Sequence, residues 1–386
     1  MRKTITLFLL LVCNFIYAQV DYTNVLNLLV NNKREEARKL FDKQFAKTKT
    51  TNIDLLFLDA FIDEESGKID FDESLIRNLE SLPNSQYYIA PFINSSMVLS
   101  DVKDDTYNDL TYKKIDFLAA SPKFGALPIV KYRKAVFERR RLQFENSLKS
   151  FKELGAITQW QFCGVFENLN GSGLDIEYEA ETKPKSDKLF DANSNGLVGW
   201  YNPKTPQDDP YHFFENEGEY GSGIIYAQTF IQSNEKKNYI LSFGANQGLK
   251  IFLNDKEIYV NQDIKRTNLD AYNIKIPLEK GNNRLLFKLE VGSGSDYFSA
   301  QIKNLDFTLA TDLKLSNTFQ PYTVSTSDNF EAEEIQLDYE KYFDDLAAKN
   351  PNNLLYKLFQ FTVYESNYKK IKAFDAIEGL DIKYPN

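Results

Sequence analysis

Histidine and cysteine are nearly missing from this chain of 386 residues, which has one histidine and two cysteines. Cys13 lies in an N-terminal apolar run, so a chain that loses this run keeps a single thiol, Cys163, and cannot form an internal disulfide. A Ser–His–Asp triad, a histidine-rich zinc site or a metalloprotease motif would depend on His212 or could not form. The scarcity of both residue types leaves little room for histidine- or thiol-based catalysis.

Basic residues are outnumbered by acidic ones, 46 to 55, which gives a formal net charge of −9 at pH 7. Nucleic acids and anionic membranes need clustered Lys and Arg, so the composition predicts no nucleic-acid partner. The one basic cluster, Arg139-Arg140-Arg141, lies in a helical pattern and is interpreted as the solvated side of a helix. Beyond the N-terminal run, no apolar segment reaches membrane-spanning length.

The N-terminus, MRKTITLFLLLVCNFIYAQV, has the layout of a secretory signal peptide. Arg2 and Lys3 precede the apolar run Thr4–Ile16, which is shorter than the roughly 20 residues needed to span a bilayer. Cleavage is expected after Ala18, so residues 1–18 are assigned to the signal peptide and the mature protein is expected in the periplasm or outside the cell. Lipidation at Cys13 is the alternative, although Val12 occupies the position before the cysteine where a lipoprotein signal has a small residue.

Helical patterning extends over residues 20–155, the first predicted domain. Apolar residues recur at helical spacing through Leu26, Leu29, Leu40 and Phe41, with Asn31-Asn32 as a turn between two helices. Gly155 is placed just beyond the last helix. Further helices are predicted at Ile53–Glu65, Phe71–Leu82, Leu110–Ala120 and Ile129–Leu154.

Strand patterning replaces the helical patterning over residues 156–310, the second predicted domain. Short, turn-rich links such as Asn254-Asp255-Lys256 favour an antiparallel sandwich over βαβ units. Pro277 near the end of its strand suits an edge position. The predicted strands are Ile224–Ile231, Tyr239–Phe243, Leu249–Leu253, Glu257–Val260, Tyr272–Leu278, Arg284–Val291 and Tyr297–Ile302.

Helical patterning returns over residues 327–386, at Phe330–Lys349 and Leu354–Ile382. The late stretch YFDDLAAKNPNNLLYKLFQFTVYES is similar to the early stretch LFDKQFAKTKTTNIDLLFLDAFIDEES. Such recurrence is expected when a helix hairpin stacks on a copy of itself, and it resembles degenerate tetratricopeptide repeats. Such a repeat normally leads to another at the position of Tyr384-Pro385-Asn386, which favours a longer parent protein or a covering partner. The predicted fold class is therefore α+β and multidomain, with a jelly-roll sandwich between two helical-repeat segments.

Cys163 could be a nucleophile, a metal ligand or a small strand residue. A catalytic thiol needs a base, and His212 lies 49 residues further along the chain. Cys163 follows Trp160 and Phe162 in a strand-like run, which favours a buried packing position. A pair of carboxylates of the glycosidase type is not excluded by counting, but no pair stands out among the acidic residues. The protein is therefore expected not to be an enzyme, with a carboxylate-dependent hydrolase as a remaining alternative.

A partial calcium loop is present at Asp191, Asn193 and Asn195, with Gly196 at the turn. Its twelfth position is Asn202, where a bidentate glutamate is needed, so a polar surface turn is favoured and no cofactor is expected. Bound structural calcium is the alternative.

Four residues of one long loop are the predicted ligand-binding residues. Exposed aromatic rings on a sandwich can stack on sugars, although most aromatic residues of a sandwich lie in its core. The four are Trp200, Tyr201, Tyr211 and His212.

The segment LGAITQWQFCGVFENLNGSGLDIEYEAE resembles the opening of a sandwich module of large exported bacterial proteins. The matching residues there are Trp160, Gly164, Phe166, Glu167, Asn168, Gly173, Asp175 and Glu181. A later segment matches at Arg266, Asp270, Leu278, Gly281, Asn283, Leu285, Leu286 and Lys288. The sequence departs from the family pattern at Cys163, Val165, Ala245-Asn246 and Asp255.

The resemblance implies a galactose-binding-like jelly roll, preceded by helical repeats as in the N-terminal part of exported transglutaminase-like proteins. In that family a cysteine-protease domain often follows, and this sequence has none. The resemblance thus implies an exported, non-catalytic protein that recognises a glycan or a polypeptide. The alternative is the recognition portion of a truncated or split transglutaminase-like peptidase.

Overall fold

The computed structural model describes residues 21–65, 73–93, 109–204, 207–214, 222–292, 296–325 and 332–378. Cys13, the predicted signal peptide and its cleavage point after Ala18 lie outside these residues, as does the Tyr384-Pro385-Asn386 end. Within the described residues the chain is α+β: helices lie on both sides, along the sequence, of an antiparallel β region.

The first helical region forms because apolar side chains recur every three or four residues. In Arg34–Phe45, for example, Ala37, Phe41 and Phe45 all lie on one buried face. The predicted helix Ile129–Leu154 is two helices, because Leu142 takes a left-handed conformation with φ of 62° and turns the chain. The helices are α1 Thr23–Val30, α2 Arg34–Phe45, α3 Ile53–Glu65, α4 Glu73–Ser81, α5 Ser85–Phe92, α6 Asp109–Ala120, α7 Pro128–Arg140 and α8 Phe144–Lys152.

The last helices join the first ones in one hydrophobic core. The Phe359 ring lies 5.3 Å from that of Tyr88 and 5.9 Å from that of Phe57, centroid to centroid, and all three side chains are fully buried. The predicted helix Leu354–Ile382 is interrupted at Tyr368, which has a φ of 55°. These helices are α9 Asp338–Lys349, α10 Leu354–Ser366 and α11 Lys370–Ile377.

The middle of the chain consists of short strands. They are β1 Gln161–Phe166, β2 Leu189–Asp191, β3 Leu197–Gly199, β4 His212–Phe213, β5 Gly223–Ser233, β6 Lys237–Ala245, β7 Leu249–Leu253, β8 Lys256–Asn261, β9 Tyr272–Leu278, β10 Gly281–Val291, β11 Tyr297–Lys303, β12 Lys314–Ser316 and β13 Glu333–Glu334.

These strands form two large antiparallel sheets packed face to face, and β2 and β3 form a separate two-stranded sheet. The first sheet has the order β1-β5-β10-β7-β8 with β12 also paired to β5, and the second sheet has the order β13-β9-β6-β11-β4. Pro277 of β9 pairs with β6 on one side and lies beyond the short β13 on the other, as an edge position requires.

Both sheets are buried on both faces. Leu285, Phe287 and Leu289 of β10 point into the core between the sheets, whereas Leu286 points to a second core on the outer face. The chain between β1 and β4 covers that outer face, with Tyr178 among its buried residues. The outer face of the other sheet lies against the helices.

Polar contacts join the helices to the second sheet. Gln301 Nε2 of β11 donates to the Leu154 carbonyl at 2.9 Å, and Arg139 Nη2 of α7 lies 2.8 Å from Asp209 Oδ2. Tyr211 and Leu269, from the sandwich region, belong to the hydrophobic core of the helices. Among the described residues, no helix has the length and apolar character needed to cross a membrane.

Candidate functional site

The predicted aromatic loop does not form an exposed platform. Trp200 is buried: its Nε1 donates to the Lys183 carbonyl at 2.8 Å, and the guanidinium of Arg284 lies 5.6 Å from its ring centroid. Tyr201 is the most open of the four, with 37% of its surface exposed. Trp200 therefore serves as a packing residue beneath the segment that covers the first sheet.

Tyr211 and His212 are also buried, in different places. His212 packs on Phe162 with ring centroids 4.5 Å apart. Tyr211 reaches the helices, where its ring lies 5.0 Å from that of Tyr132 and its hydroxyl donates to the Thr267 carbonyl at 3.4 Å. The structure therefore brings Tyr201 and His212 to the same ring, that of Phe162, at 6.0 and 4.5 Å between centroids, whereas Trp200 and Tyr211 pack elsewhere in the fold.

Cys163 and His212 lie on opposite sides of β1. Cys163 is fully buried in the outer core of the first sheet, while His212 contacts Phe162, whose side chain points into the sandwich. Burial raises the pKa of the Cys163 thiol far above its usual range, with the charge of Arg284 acting weakly in the other direction. The prediction that Cys163 is a buried packing residue agrees with this geometry.

The partial calcium loop is a turn held by a hydrogen bond within it and by one to strand β1. Asp191 Oδ1 accepts from the backbone N–H of Asn193 at 2.9 Å, and Asn195 Nδ2 donates to the Val165 carbonyl at 3.1 Å. Within the described residues there is no group of three or more His, Cys, Asp or Glu side chains that could hold a metal ion.

A buried charge network fastens the covering segment to the first sheet. Arg284 is fully buried; its Nη1 lies 2.8 Å from Asp255 Oδ1 and its Nη2 donates to the Ala180 carbonyl at 2.9 Å. Lys288 Nζ lies 2.7 Å from Glu181 Oε1, and burial lowers the pKa of Lys288 although Glu181 opposes the shift. Because these charges are paired with each other, the network has a structural role.

A cavity lies between the helices and the second sheet, and we call it the interface cavity. Its volume is about 750 Å³, within the usual range for small-molecule sites. Helices α5 and α7 and the residues that follow α8 line it on the helical side, strand β11 forms the floor, and the start of α9 closes one side. Its lining includes Tyr87, Leu127, Ile129, Leu154, Asn268, Asp270, Gln301, Lys303, Phe307, Leu309, Leu337 and Tyr339.

Polar groups reach the floor because side chains alternate along β11. Phe298, Ala300 and Ile302 point into the sandwich core, so Gln301 and Lys303 point towards the helices. Lys303 Nζ lies 3.2 Å from Asp270 Oδ2.

Two cavity-lining amides have an unused acceptor. Gln301 is 1% exposed, and its Oε1 is buried and finds no donor among the described residues. The Oε1 of Gln86, another lining residue, has no donor among them either. Leaving a buried acceptor unpaired costs about 1–3 kcal/mol. A ligand that donates a hydrogen bond to one of these oxygens, after a small movement of the side chain towards the cavity, would recover this free energy.

A smaller cavity of about 220 Å³, which we call the arginine pocket, adjoins the interface cavity and shares Ile129 and Asn268 with it. Its further lining residues are Tyr132, Arg133, Tyr211, Phe213, Arg266, Thr267 and Tyr297. Of the four residues predicted from the sequence to bind ligand, Tyr211 is the one that lines it.

The sequence patterns did not indicate these two cavities. Their walls come from three parts of the chain far apart in sequence, and each lining residue taken alone is an ordinary helix, strand or turn residue. Only the docking of the helices on the second sheet brings them together.

No protein-family model matches this chain, and no curated protein matches it. Among solved structures, two family 35 carbohydrate-binding modules, from an environmental isolate and from Clostridium thermocellum, are 15% and 16% identical to it. They cover 24% and 22% of this chain and 70% and 72% of their own, each with a TM-score of 0.18.

A β-glucosidase from Kluyveromyces marxianus in complex with glucose is 12% identical and covers 54% of this chain and 23% of its own, with a TM-score of 0.25. The PA14 domain of the MpAFP antifreeze protein is 17% identical and covers 32% of this chain and 61% of its own, with a TM-score of 0.20. At such TM-scores these similarities carry no argument about the ligand, and the binding chemistry has to be inferred from the cavities.

Proposed function

We propose that this chain is an exported, non-catalytic recognition protein that binds a glycan in the interface cavity. The observation that carries the proposal is the cavity itself: about 750 Å³ between the helices and the sandwich, with two lining amide oxygens that find no donor among the described residues. Concave sites between parts of a protein, with apolar walls and a few polar groups, are the usual location of ligand sites.

The chemistry of the walls favours a sugar over a peptide. Sugar hydroxyls can donate to amide and carboxylate oxygens, and the apolar faces of sugar rings can pack on tyrosine. The ring of Tyr87 is stacked on Tyr342 at 4.7 Å, and the hydroxyl of Tyr339 accepts from Asn367 Nδ2 at 2.6 Å, so both rings are held in place. An extended peptide would need an open sheet edge or a long groove, as in strand addition.

The test is a glycan array and titration calorimetry with the full mature chain, comparing wild type with Ala126→Trp. Ala126 is exposed at the cavity rim, so an indole there should obstruct entry without disturbing the core. The matched control is Ala120→Trp, at an exposed position that does not line the cavity. We expect A126W to lose at least about tenfold in affinity, equivalent to about 1.4 kcal/mol, and A120W to bind as wild type. Silence on the array, or peptide binding that A126W does not weaken, would refute the proposal.

The proposal also includes the family resemblance of the chain and its export. Helix pairs followed by an antiparallel two-sheet sandwich support degenerate tetratricopeptide-type repeats and a galactose-binding-like jelly roll, as in the N-terminal part of transglutaminase-like exported proteins. If the protein is exported, we expect to recover it from the periplasm or the medium with Gln19 as its first residue. Recovery from the cytoplasm with Met1 as the first residue would contradict export.

The alternative is the recognition portion of a split transglutaminase-like peptidase. A catalytic domain encoded directly downstream would favour it.

A further inference from the structure

An ion pair on the floor of the interface cavity joins two parts of the sandwich region. Lys303 is at the end of β11, Asp270 lies in the loop between β8 and β9, and both line the cavity. Lys303 Nζ donates to Asp270 Oδ2 at 3.2 Å. The Lys303 side chain is 6% exposed and that of Asp270 is 19% exposed, so solvent ions screen the pair only weakly. Hydrogen bonds to these charged groups are stronger than bonds to neutral ones.

The ion pair keeps hydrogen-bonding capacity for a ligand. An ammonium group has three N–H donors and a carboxylate has two acceptor oxygens, so one shared bond uses a small part of both. A sugar hydroxyl is both a donor and an acceptor. Two hydroxyls on adjacent ring carbons, unless both are axial, lie about as far apart as Lys303 Nζ and Asp270 Oδ2. One of them can therefore donate to Asp270 while its neighbour accepts from Lys303.

Gln301 provides a further acceptor on the same face of β11. It precedes Lys303 by two residues, so both side chains point towards the helices and their Cα atoms are about 7 Å apart along the strand. Gln301 Nε2 donates to the Leu154 carbonyl at 2.9 Å, and its Oε1 finds no donor among the described residues. The spacing is comparable to the width of a pyranose ring. A hexose held by Lys303 and Asp270 can thus present another hydroxyl to Gln301.

Tyr339, at the start of α9, brings an aromatic ring to the same part of the cavity. Burial raises the pKa of Tyr339 well above its usual range, and the negative charges of Glu340 and Asp270 raise it further. The Asp270 carboxylate therefore acts on the Tyr339 hydroxyl, which Asn367 Nδ2 holds at 2.6 Å. The ring is a fixed surface near the ion pair, against which the C–H face of a sugar can pack.

We propose that Lys303 and Asp270 form a clamp for two adjacent hydroxyls of a neutral hexose, with Gln301 as the acceptor for another hydroxyl of the same ring. We call this pair the diol clamp. The inference rests on the proposed function and deepens it, because it names the ligand class and the residues that select it. The pair has no net charge, so it favours a neutral ring over a uronate. It excludes a diaxial pair of hydroxyls, because these point in opposite directions.

The test is NMR titration of the full mature chain with the methyl glycosides of glucose, mannose and galactose, and with the forms of each that lack a single ring hydroxyl. The variants are Lys303→Met, Asp270→Ala and the double variant K303M/D270A, which leaves no unpaired buried charge if a single variant fails to fold. The matched control is Lys275→Met. It removes a lysine of the same sheet from an ion pair with Glu333 at 3.0 Å, and Lys275 does not line the cavity.

We expect wild type to lose at least about tenfold in affinity for one glycoside when either hydroxyl of an adjacent pair is removed, because each hydroxyl bonds to a charged group. In K303M the loss for the accepting hydroxyl should fall below about twofold, and in D270A the loss for the donating hydroxyl should do so. K303M/D270A should bind all forms within about twofold of one another, and K275M should behave as wild type.

An ion pair with a structural role alone would give a different result. Its loss would weaken binding of every form of the glycoside by the same factor and leave the ratios between them unchanged, which would overturn the diol clamp. If the glycan array shows binding that A126W weakens but none of the three glycosides binds, the diol clamp is wrong while the proposed function stands. If neither the array nor the glycosides show binding, both proposals fail.

Discussion

Asp54 is a carboxylate held by tyrosine hydroxyls where the first and last helices meet. Tyr88 donates to its Oδ1 at 3.1 Å and Tyr356 to its Oδ2 at 2.7 Å. Burial raises the pKa of Asp54 above 3.8, and the tyrosine hydrogen bonds offset only part of this rise. The charged form is therefore less favourable in the folded protein than in the unfolded chain.

We predict that Asp54→Asn becomes progressively more stable than wild type as the pH rises from about 4 to 7. A native pKa above the unfolded value means that Asp54 binds more protons in the folded state in this window, so the contribution of Asp54 to the free energy of unfolding falls as the pH rises through it. Urea unfolding of both proteins across this range measures the difference. The variant Asp187→Asn, at an exposed position, serves as control. A difference between D54N and wild type that stays constant with pH would contradict the prediction.

At the scale of single residues, the neighbours of a residue along the chain indicate its role, but they do not reveal which distant residues its side chain contacts. Cys163 was identified as a packing position because it lies between large apolar residues and far from a base along the chain. Trp200 and Tyr211 lie in a polar stretch that suggests exposure. Their burial depends on Arg284 and Tyr132, which are distant in sequence, so no local pattern could reveal it.

Strand β6 and the loop that follows β8 meet at Gly244, because a hydrogen atom there lets two backbones approach. A Cβ at this position would lie 2.1 Å from the Asn268 carbonyl oxygen. Thr267 fastens the same loop, since its Oγ1 donates to the Ala245 carbonyl at 3.0 Å. Arg266, Thr267 and Asn268 line the arginine pocket, so this close approach positions one of its walls.

We predict that Gly244→Ala lowers the free energy of unfolding by about 1–3 kcal/mol, the usual cost of overpacking. Thermal unfolding measures the effect. Gly292→Ala is the matched control, because the nearest atom to its added Cβ lies 3.9 Å away. Unchanged stability in G244A would contradict the close approach of the two backbones.

At the scale of elements, some strands and the helix Ile53–Glu65 have their predicted bounds, whereas the predicted helices Ile129–Leu154 and Leu354–Ile382 are each divided. Leu249–Leu253 and Tyr272–Leu278 have their predicted bounds, because alternating or continuous apolar residues end at clear turn signals. The breaks at Leu142 and Tyr368 carry no glycine or proline. The local sequence does not distinguish these two left-handed residues from residues inside a helix. Their conformation is determined by the packing of the helix that follows.

The helices from both sides of the sandwich depend on one another across the whole molecule. Phe359 of α10 packs against Phe57, Phe92, Tyr88 and Phe343, which come from three other helices. The sequence analysis assigned residues 327–386 to a separate segment. The structure shows that helices of this segment and of the first region contribute side chains, such as Phe359 and Phe57, to one core.

We predict that Phe359→Ala lowers the free energy of unfolding by about 3–5 kcal/mol, because it removes a fully buried ring and leaves a cavity. Phe374→Ala, at a side chain that is 63% exposed, should change it by less than about 0.5 kcal/mol. Urea unfolding followed by far-ultraviolet circular dichroism measures both. A small loss for F359A would mean that the two groups of helices do not share a core.

The α+β class and the antiparallel sandwich could be predicted from the sequence, but the interface cavity could not. Strand spacing and turns are local signals, whereas the interface cavity depends on contacts such as the hydrogen bond between Gln301 and the Leu154 carbonyl, 147 residues away. A single sequence carries no pattern for such contacts.

Tyr22, just before α1, and Asn353, at the start of α10, are joined by a hydrogen bond of 2.8 Å. The sandwich is thus a long insertion into a helical body that closes on itself. A tension applied between these two points would be carried first by the packing of the helices around this hydrogen bond. It would reach the sheets only through the residues by which the sandwich region contacts the helices, such as Tyr211 and Leu269.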